Sequence, residues 1–157
     1  MPLYLNRKIK LALIFFLIMP FSPAAFSEEY VDQASLAEQA LKFIGIHYRW
    51  GGSNPQTGFD CSGLVRYVAK KYDIDIPRRS RDMYSSLQSV SPENMLSGDL
   101  VFFNTSGSAF HVGIYIGNRE FIHSPHKGKR VSIESLDSSY YSKRLIGVRR
   151  LPLVYVQ

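Results

Sequence analysis

Apolar residues recur at helical spacing in the first half of the chain and alternate with polar ones in the second. Leu36, Ala40, Leu41 and Ile44 lay a stripe along a helix expected over 35–44, which Gly45 is placed to end. Leu64, Val65, Val68 and Ala69 do the same over 60–72, with Asp60 as the N-cap. A short helix over 80–87 follows Pro77. Beyond Gly98 the period becomes two, and strands are expected over 100–103, 111–116, 120–123, 131–133 and 145–149. Helices first and strands second specify an α+β domain with an antiparallel sheet. Between the first two helices, 48–52 and 55–58 form a glycine-rich loop, in which Gly51 and Gly52 shape a tight turn and Trp50 reads as core filling.

The first 27 residues stand outside this pattern. Arg7, Lys8 and Lys10 precede an unbroken apolar run over 11–19, Pro20 ends it, and Ala25 and Ser27 put small residues at the −3 and −1 positions before Glu28. That is the layout of a secretory signal peptide over 1–27, followed by one domain over 28–157. The run is too short for a comfortable permanent span, and no cysteine stands near the cleavage point to carry a lipid. The expectation is therefore a periplasmic or secreted protein with no stable membrane anchor. Losing the leader also lowers the formal net charge from +6 to +3. So small an excess suits an anionic substrate or surface but gives no case for a nucleic-acid partner.

Cys61 is the single cysteine, so an exported chain cannot use it in an intramolecular disulfide. It lies three residues before Leu64 and seven before Val68, on the buried face of its helix and at the N-terminal rim. Backbone N–H groups and the positive end of the helix dipole favour a thiolate there. His111, Gly113 and Tyr115 share one face of their strand. A three-residue loop of Gly117, Asn118 and Arg119 would set His123 opposite Gly113 and diagonal to His111, whereas a two-residue loop would put the histidines on opposite faces. His111 then reads as the base for Cys61, and His123 as the group that orients His111. The Cys61 N–H and the Tyr48 hydroxyl read as donors to an oxyanion.

Tyr48-Arg49-Trp50-Gly51-Gly52, Asp60-Cys61-Ser62-Gly63, 98–103, 111–117 and 121–124 fall in the order and spacing of a family. The chain resembles the NlpC/P60 cysteine peptidases over nearly all of the part that follows the leader. The resemblance implies a papain-like fold and cleavage of peptide bonds in bacterial cell-wall peptidoglycan. It implies Cys61 as nucleophile, His111 as base and His123 as orienting residue. Tyr48 would line the oxyanion site, Asp60 and Ser62 would border the substrate, and Pro77-Arg78 resembles the family's Pro-Arg segment. His47 and Met83 stand where members often carry proline and glutamine, so the groove's shape is expected to differ while the chemistry is kept. The missing wall-binding repeats resemble compact single-domain members of Gram-negative bacteria.

Several readings compete with the leading one. Arg78, Arg79 and Arg81 form either a solvated face or a cationic subsite for the carboxylates of D-Glu and diaminopimelate in the stem peptide. His126 follows His123 by three residues, but the closely paired ligands of a structural zinc site are missing, so no metal and no cofactor are expected. An amidase or acyltransferase on the same fold, and a non-catalytic wall-binding module, are the alternatives to an endopeptidase using an acyl-thioester on Cys61. The bond cleaved and the oligomeric state are left open by the sequence.

Overall fold

The computed structural model describes residues 29–30, 33–106, 109–152 and 155–156, so the leader expected over 1–27 lies outside the described residues. In chain order the elements are β1 (Glu29–Tyr30), α1 (Gln33–Leu41), β2 (Ser53–Asn54), β3 (Gly58–Phe59), α2 (Cys61–Lys70) and α3 (Ser80–Ser86). There follow β4 (Gln88–Val90), a 3₁₀ turn at Pro92–Asn94, β5 (Leu100–Ser106), β6 (Ala109–Gly117) and β7 (Glu120–His123). The last are β8 (Ser132–Ser135), β9 (Leu145–Arg150) and β10 (Tyr155–Val156). Six strands form one sheet in the order β4-β9-β5-β6-β7-β8, every neighbouring pair antiparallel. Helices precede this sheet, as the change of period from helical to alternating requires. The helical expectations hold with shifted ends: α1 starts two residues earlier and stops three earlier than expected, and α2 and α3 are shorter by three residues and one. The strand expectations missed only the short pairings β1–β10 and β2–β3 and the edge strand β4.

The sheet divides the interior into two apolar layers. Leu100 and Phe102 of β5, Val112 and Ile114 of β6 and Ile122 of β7 meet Leu36, Ala40, Leu64, Val65 and Val68 of α1 and α2. On the opposite face Val101, Phe103, Phe121 and Val148 close over Leu136 and Tyr141. Alternation along β5 feeds both layers, which is why 100–103 reads as a run of apolar residues without polar breaks. Full burial of each such side chain contributes about 1.5–3 kcal/mol to the fold.

The β6–β7 hairpin corrects the loop expected from sequence. Gly117 pairs with Glu120, so the turn has two residues, Asn118 and Arg119, at φ of 50° and 60°. Two left-handed residues are what a type I′ turn demands. The register then shifts by one between Tyr115 and Gly117, leaving Ile116 as the extra residue of a β-bulge, and beyond it Ile114 faces Ile122. That register aligns Gly113 with His123. The odd residue needed to bring the two histidines to one face is supplied by the bulge rather than by the loop.

Two glycines let segments meet at this end of the fold. A Cβ on Gly63 would lie 1.9 Å from the Gly52 oxygen, so α2 can lie on the glycine loop only if its third residue lacks a side chain. A Cβ on Gly113 would lie 2.5 Å from the Phe121 ring and 3.3 Å from the His123 Cβ. No helix among the described residues is long and apolar enough to cross a membrane.

Candidate active site

Cys61 is the first residue of α2, and the turn before it is held by Asp60. One Asp60 carboxylate oxygen accepts from the Gly63 N–H at 2.6 Å, the other from the Gly51 N–H at 3.0 Å. The cap read from the sequence is therefore formed, and it also clamps the glycine loop to the helix. Arg78 donates to both Asp60 oxygens, at 3.0 and 2.7 Å, and further to the Ser62 hydroxyl at 2.8 Å and the Gly52 carbonyl at 3.3 Å. Arg78, expected to face a substrate carboxylate, is engaged here by Asp60 in a two-pronged ion pair. Ser62 is buried within that network.

The sulfur of Cys61 reaches β6 where β7 stops. After His123 the chain leaves the sheet, and the buried Ser124 hydroxyl donates to the Phe59 carbonyl at 2.7 Å, tying that exit to the strand before α2. Cys61 packs at the margin of the helix-side core and makes a backbone hydrogen bond at Val112, the residue after His111. His111 Nε2 lies 2.6 Å from His123 Nδ1, with the rings nearly perpendicular at 81°. His111 is 7% exposed and His123 fully buried.

Burial governs the electrostatics. It pushes the Cys61 thiol above its ordinary value; hydrogen bonding at the Val112 backbone opposes this, the Asp60 charge adds to it, and the Ser62 backbone and Arg78 oppose it again. Burial, with a smaller push from His126, takes His111 down to about 4. Burial, then His111 and His126, takes His123 down to about 3. All three effects favour the uncharged forms, against the thiolate that the helix start favours. Helix start and desolvation thus act on the Cys61 sulfur in opposite directions, at a residue partly exposed to the surface.

A cavity of about 780 Å³ opens over Cys61 and His111, and Tyr48, Asp60, Ser62 and Arg78 are among its lining residues. Of the residues singled out by sequence only His123 stands behind this surface, in contact with His111. Burial, then the proximity of Cys61 and Asp60, raises the Tyr48 phenol further above neutrality, so it stands as a hydrogen-bond donor. Trp50 also lines the cavity and is 87% exposed, so its reading as core filling is corrected. Phe110 and Ser80 form another wall, joined by a hydrogen bond from the Ser80 hydroxyl to the Phe110 carbonyl, and Arg81 lies 4.5 Å over the Phe110 ring. Neither Ser80 nor Phe110 carried a sequence signal, since no local pattern announces that α3 will meet the start of β6. Among the described residues no group of three or more His, Cys, Asp or Glu side chains is arranged to hold a metal ion.

A neutral imidazole can accept a thiol proton at one nitrogen while its other N–H is held by an acceptor. Here His111 Nε2 is held by His123, which leaves Nδ1 for the sulfur. That arrangement suits nucleophilic attack on a carbonyl at the N-terminus of α2.

Comparison with known proteins gives a consistent picture. The NlpC/P60 family model matches residues 45–150. Murein DD-endopeptidase MepH of Escherichia coli K12 is 48% identical over 117 residues, covering 71% of this chain and 43% of the relative. The bifunctional muramidase/DL-endopeptidase CwlT of Bacillus subtilis 168 is 39% identical over 120 residues, covering 74% of this chain and 36% of the relative. A crystal structure of an NlpC/P60 family protein from Bacillus cereus ATCC 10987 superimposes with a TM-score of 0.73 at 33% identity, covering 80% of this chain and 42% of that one. The chain thus spans less than half the length of these relatives.

Proposed function

The chain belongs to the NlpC/P60 family, and we propose that it is a cysteine endopeptidase that hydrolyses peptide bonds in the stem or cross-link peptides of peptidoglycan. The observation that carries this reading is Cys61 at the first turn of α2 beside a His111–His123 pair, under one cavity. The names of the relatives, a DD-endopeptidase of murein and a DL-endopeptidase, supply the substrate class. The greater identity to the DD-endopeptidase favours a cross-link bond.

In this mechanism the substrate carbonyl settles over the start of α2. Cys61 Sγ attacks the carbonyl carbon as His111 Nδ1 takes the thiol proton, so neither group need be charged beforehand. The new imidazolium keeps its Nε2–H on His123. The oxyanion is received by the Cys61 N–H, one of the helix-start donors without an intrahelical acceptor, and by the Tyr48 hydroxyl. As the tetrahedral carbon collapses, His111 returns the proton to the leaving amine and the acyl group remains on sulfur as a thioester. Water, deprotonated by His111, attacks the thioester, releasing the acid and restoring the thiol. The leader directs this chemistry to the periplasm or to the medium, with peptidoglycan as the substrate there.

Digestion of purified peptidoglycan by the reduced protein, with products identified by mass spectrometry, tests the reading. New amino termini from the wild type, and none from Cys61→Ala or His111→Ala, are expected. Equal release by Cys61→Ala would overturn it. Transfer of the acyl group to an added amine in preference to water would instead indicate an acyltransferase.

A further inference from the structure

A second basin of about 800 Å³ adjoins the first, and the two share Pro125 and His126 as a common rim. Its walls are the loop after β7, strand β8 and the segment over 138–141. Lys129 and Arg130 stand on one side, Glu134 and the Tyr140 and Tyr141 rings on others. None of these residues takes part in the mechanism above.

The basin is built before any ligand arrives. Its loop is fastened to the segment over 45–48 by four hydrogen bonds: Gly45 N–H to the Val131 carbonyl at 2.9 Å, Val131 N–H to the Ile46 carbonyl at 2.8 Å, Tyr48 N–H to the Lys129 carbonyl at 2.9 Å, and Arg130 Nη1 to the Gly45 carbonyl at 2.8 Å. The same loop backbone therefore supports Tyr48 in the catalytic cavity. Tyr141 reaches the catalytic pair from below, with its ring 5.5 Å from His123 at 86°. A ligand lying over Tyr140 and Tyr141 and past the His126 ridge would pass into the cavity that Cys61 lines. Preformed walls and few, well-placed polar groups are the marks of a binding site.

We propose that this basin is a second substrate subsite, which takes the acidic peptide on the far side of the scissile bond, with Lys129 and Arg130 receiving its carboxylates. The proposal rests on the endopeptidase reading and deepens it. A substrate made of two joined stem peptides has one on each side of the bond cut, and two contiguous cavities of similar volume match that shape. Stem peptides bring carboxylates from D-Glu and diaminopimelate, which suits a wall carrying two exposed cations. Binding energy gathered here orients the amide at Cys61 and lowers KM more than it raises kcat.

The test uses a purified cross-linked muropeptide dimer, and the same dimer trimmed of its far stem to the cross-linking diaminopimelate. Lys129→Glu reverses a wall charge and leaves the backbone hydrogen bond of that residue in place; Ser139→Trp fills the basin by volume alone. On the intact dimer each should raise KM about fivefold to tenfold with kcat within twofold of wild type. On the trimmed dimer, wild type and variants should share one elevated KM. Retained melting temperature shows that the variants fold. A second readout is the affinity of intact dimer for Cys61→Ala protein, with and without Lys129→Glu, which needs no turnover. Unchanged KM and unchanged affinity in both basin variants, with the dimer still cleaved, would overturn the subsite and leave the endopeptidase reading standing. Binding that depends on Lys129 without cleavage of either dimer by the wild type would do the reverse.

Discussion

His111 Nε2 and His123 Nδ1 stand 2.6 Å apart across the side of β6 that Gly113 leaves bare. One of the two nitrogens must donate. If His111 is to offer a lone pair to Cys61, its proton sits on Nε2 and His123 accepts, which puts the His123 proton on its own Nε2. That nitrogen is buried without a hydrogen-bond partner among the described residues. The working tautomer therefore leaves a buried N–H unpaired, at a cost in desolvation. His123→Ala should lower kcat for peptidoglycan fragments by about 10²-fold, with KM little changed, since the residue touches His111 and not the cavity. His123→Asn, which keeps an acceptor, should recover part of the loss. Equal activity of wild type and His123→Ala would show that His111 is oriented by something else.

The same burial predicts how stability follows pH. The folded-state values of His111 and His123, about 4 and about 3, lie below the ordinary 6.5 of the unfolded chain. Between those values the unfolded chain binds more protons than the folded one, so stability rises with pH across this window. Their contribution is complete above about pH 6.5 and is lost as pH falls through about 4 and then 3. Urea midpoints measured from pH 3.5 to 7.5 should climb and then level off. In the double variant His111→Phe, His123→Phe the acid slope should flatten. An unchanged slope would place the acid sensitivity in the carboxylates instead.

How far the sequence foretold this arrangement depended on the range of the interaction involved. The Asp60 cap, the apolar stripe of α2 and the alternation that feeds both faces of β5 are local, and each was legible in a few neighbouring residues. The bulge at Ile116 was not. Asn118 and Arg119 do not advertise a two-residue turn as Asn-Gly would, and the register shift belongs to the pairing of two strands. The Arg78–Asp60 ion pair was not legible, because its partners lie 18 residues apart and a run of arginines does not show which one a carboxylate engages. A helix start can be read from a motif, whereas the burial that opposes a thiolate comes from the whole fold.

Arg78 should therefore act on stability and positioning rather than on substrate affinity. Its ion pair with Asp60 is partly buried, at 33% and 15% side-chain exposure, and its loss leaves the carboxylate and the Ser62 hydroxyl with weaker partners. Arg78→Ala should destabilise the fold by about 1–3 kcal/mol and lower kcat, with KM within about twofold of wild type. Arg78→Lys should rescue only part, since an ammonium cannot bridge both oxygens in one plane. A large rise in KM at unchanged kcat and stability would restore Arg78 to substrate binding.

Gly113 is predicted to be a requirement of the site as much as of the sheet. A methyl group there would meet Phe121 at 2.5 Å and the Ile122 carbonyl at 3.0 Å, and would press on the His123 Cβ at 3.3 Å. Phe121 is fully buried and has little room to move. Gly113→Ala should cost about 1–3 kcal/mol in the denaturant midpoint. It should also lower kcat beyond what the lost stability explains, because the shift falls on the residue that orients His111. Full kcat at temperatures where Gly113→Ala stays folded would break that link.

Trp50 gives the opposite pattern. With 87% of its surface exposed it contributes almost nothing to the core, yet it stands at the mouth of the cavity that holds Cys61 and His111. A large ring left in water at that place can gain burial only from a ligand, and aromatic contacts of this kind are worth about 0.5–1.5 kcal/mol beyond area alone. Trp50→Ala should leave the unfolding free energy within about 0.5 kcal/mol of wild type. It should raise KM for cross-linked fragments about threefold to tenfold while kcat holds. Tryptophan fluorescence provides an independent check, since Trp50 is the single tryptophan of the chain. Titration of Cys61→Ala protein with uncleaved fragments should shift its emission to shorter wavelength as water leaves the ring. Saturable binding with no change in emission would mean that the substrate passes Trp50 without touching it, and the KM effect would have to be sought at Tyr48 or Phe110.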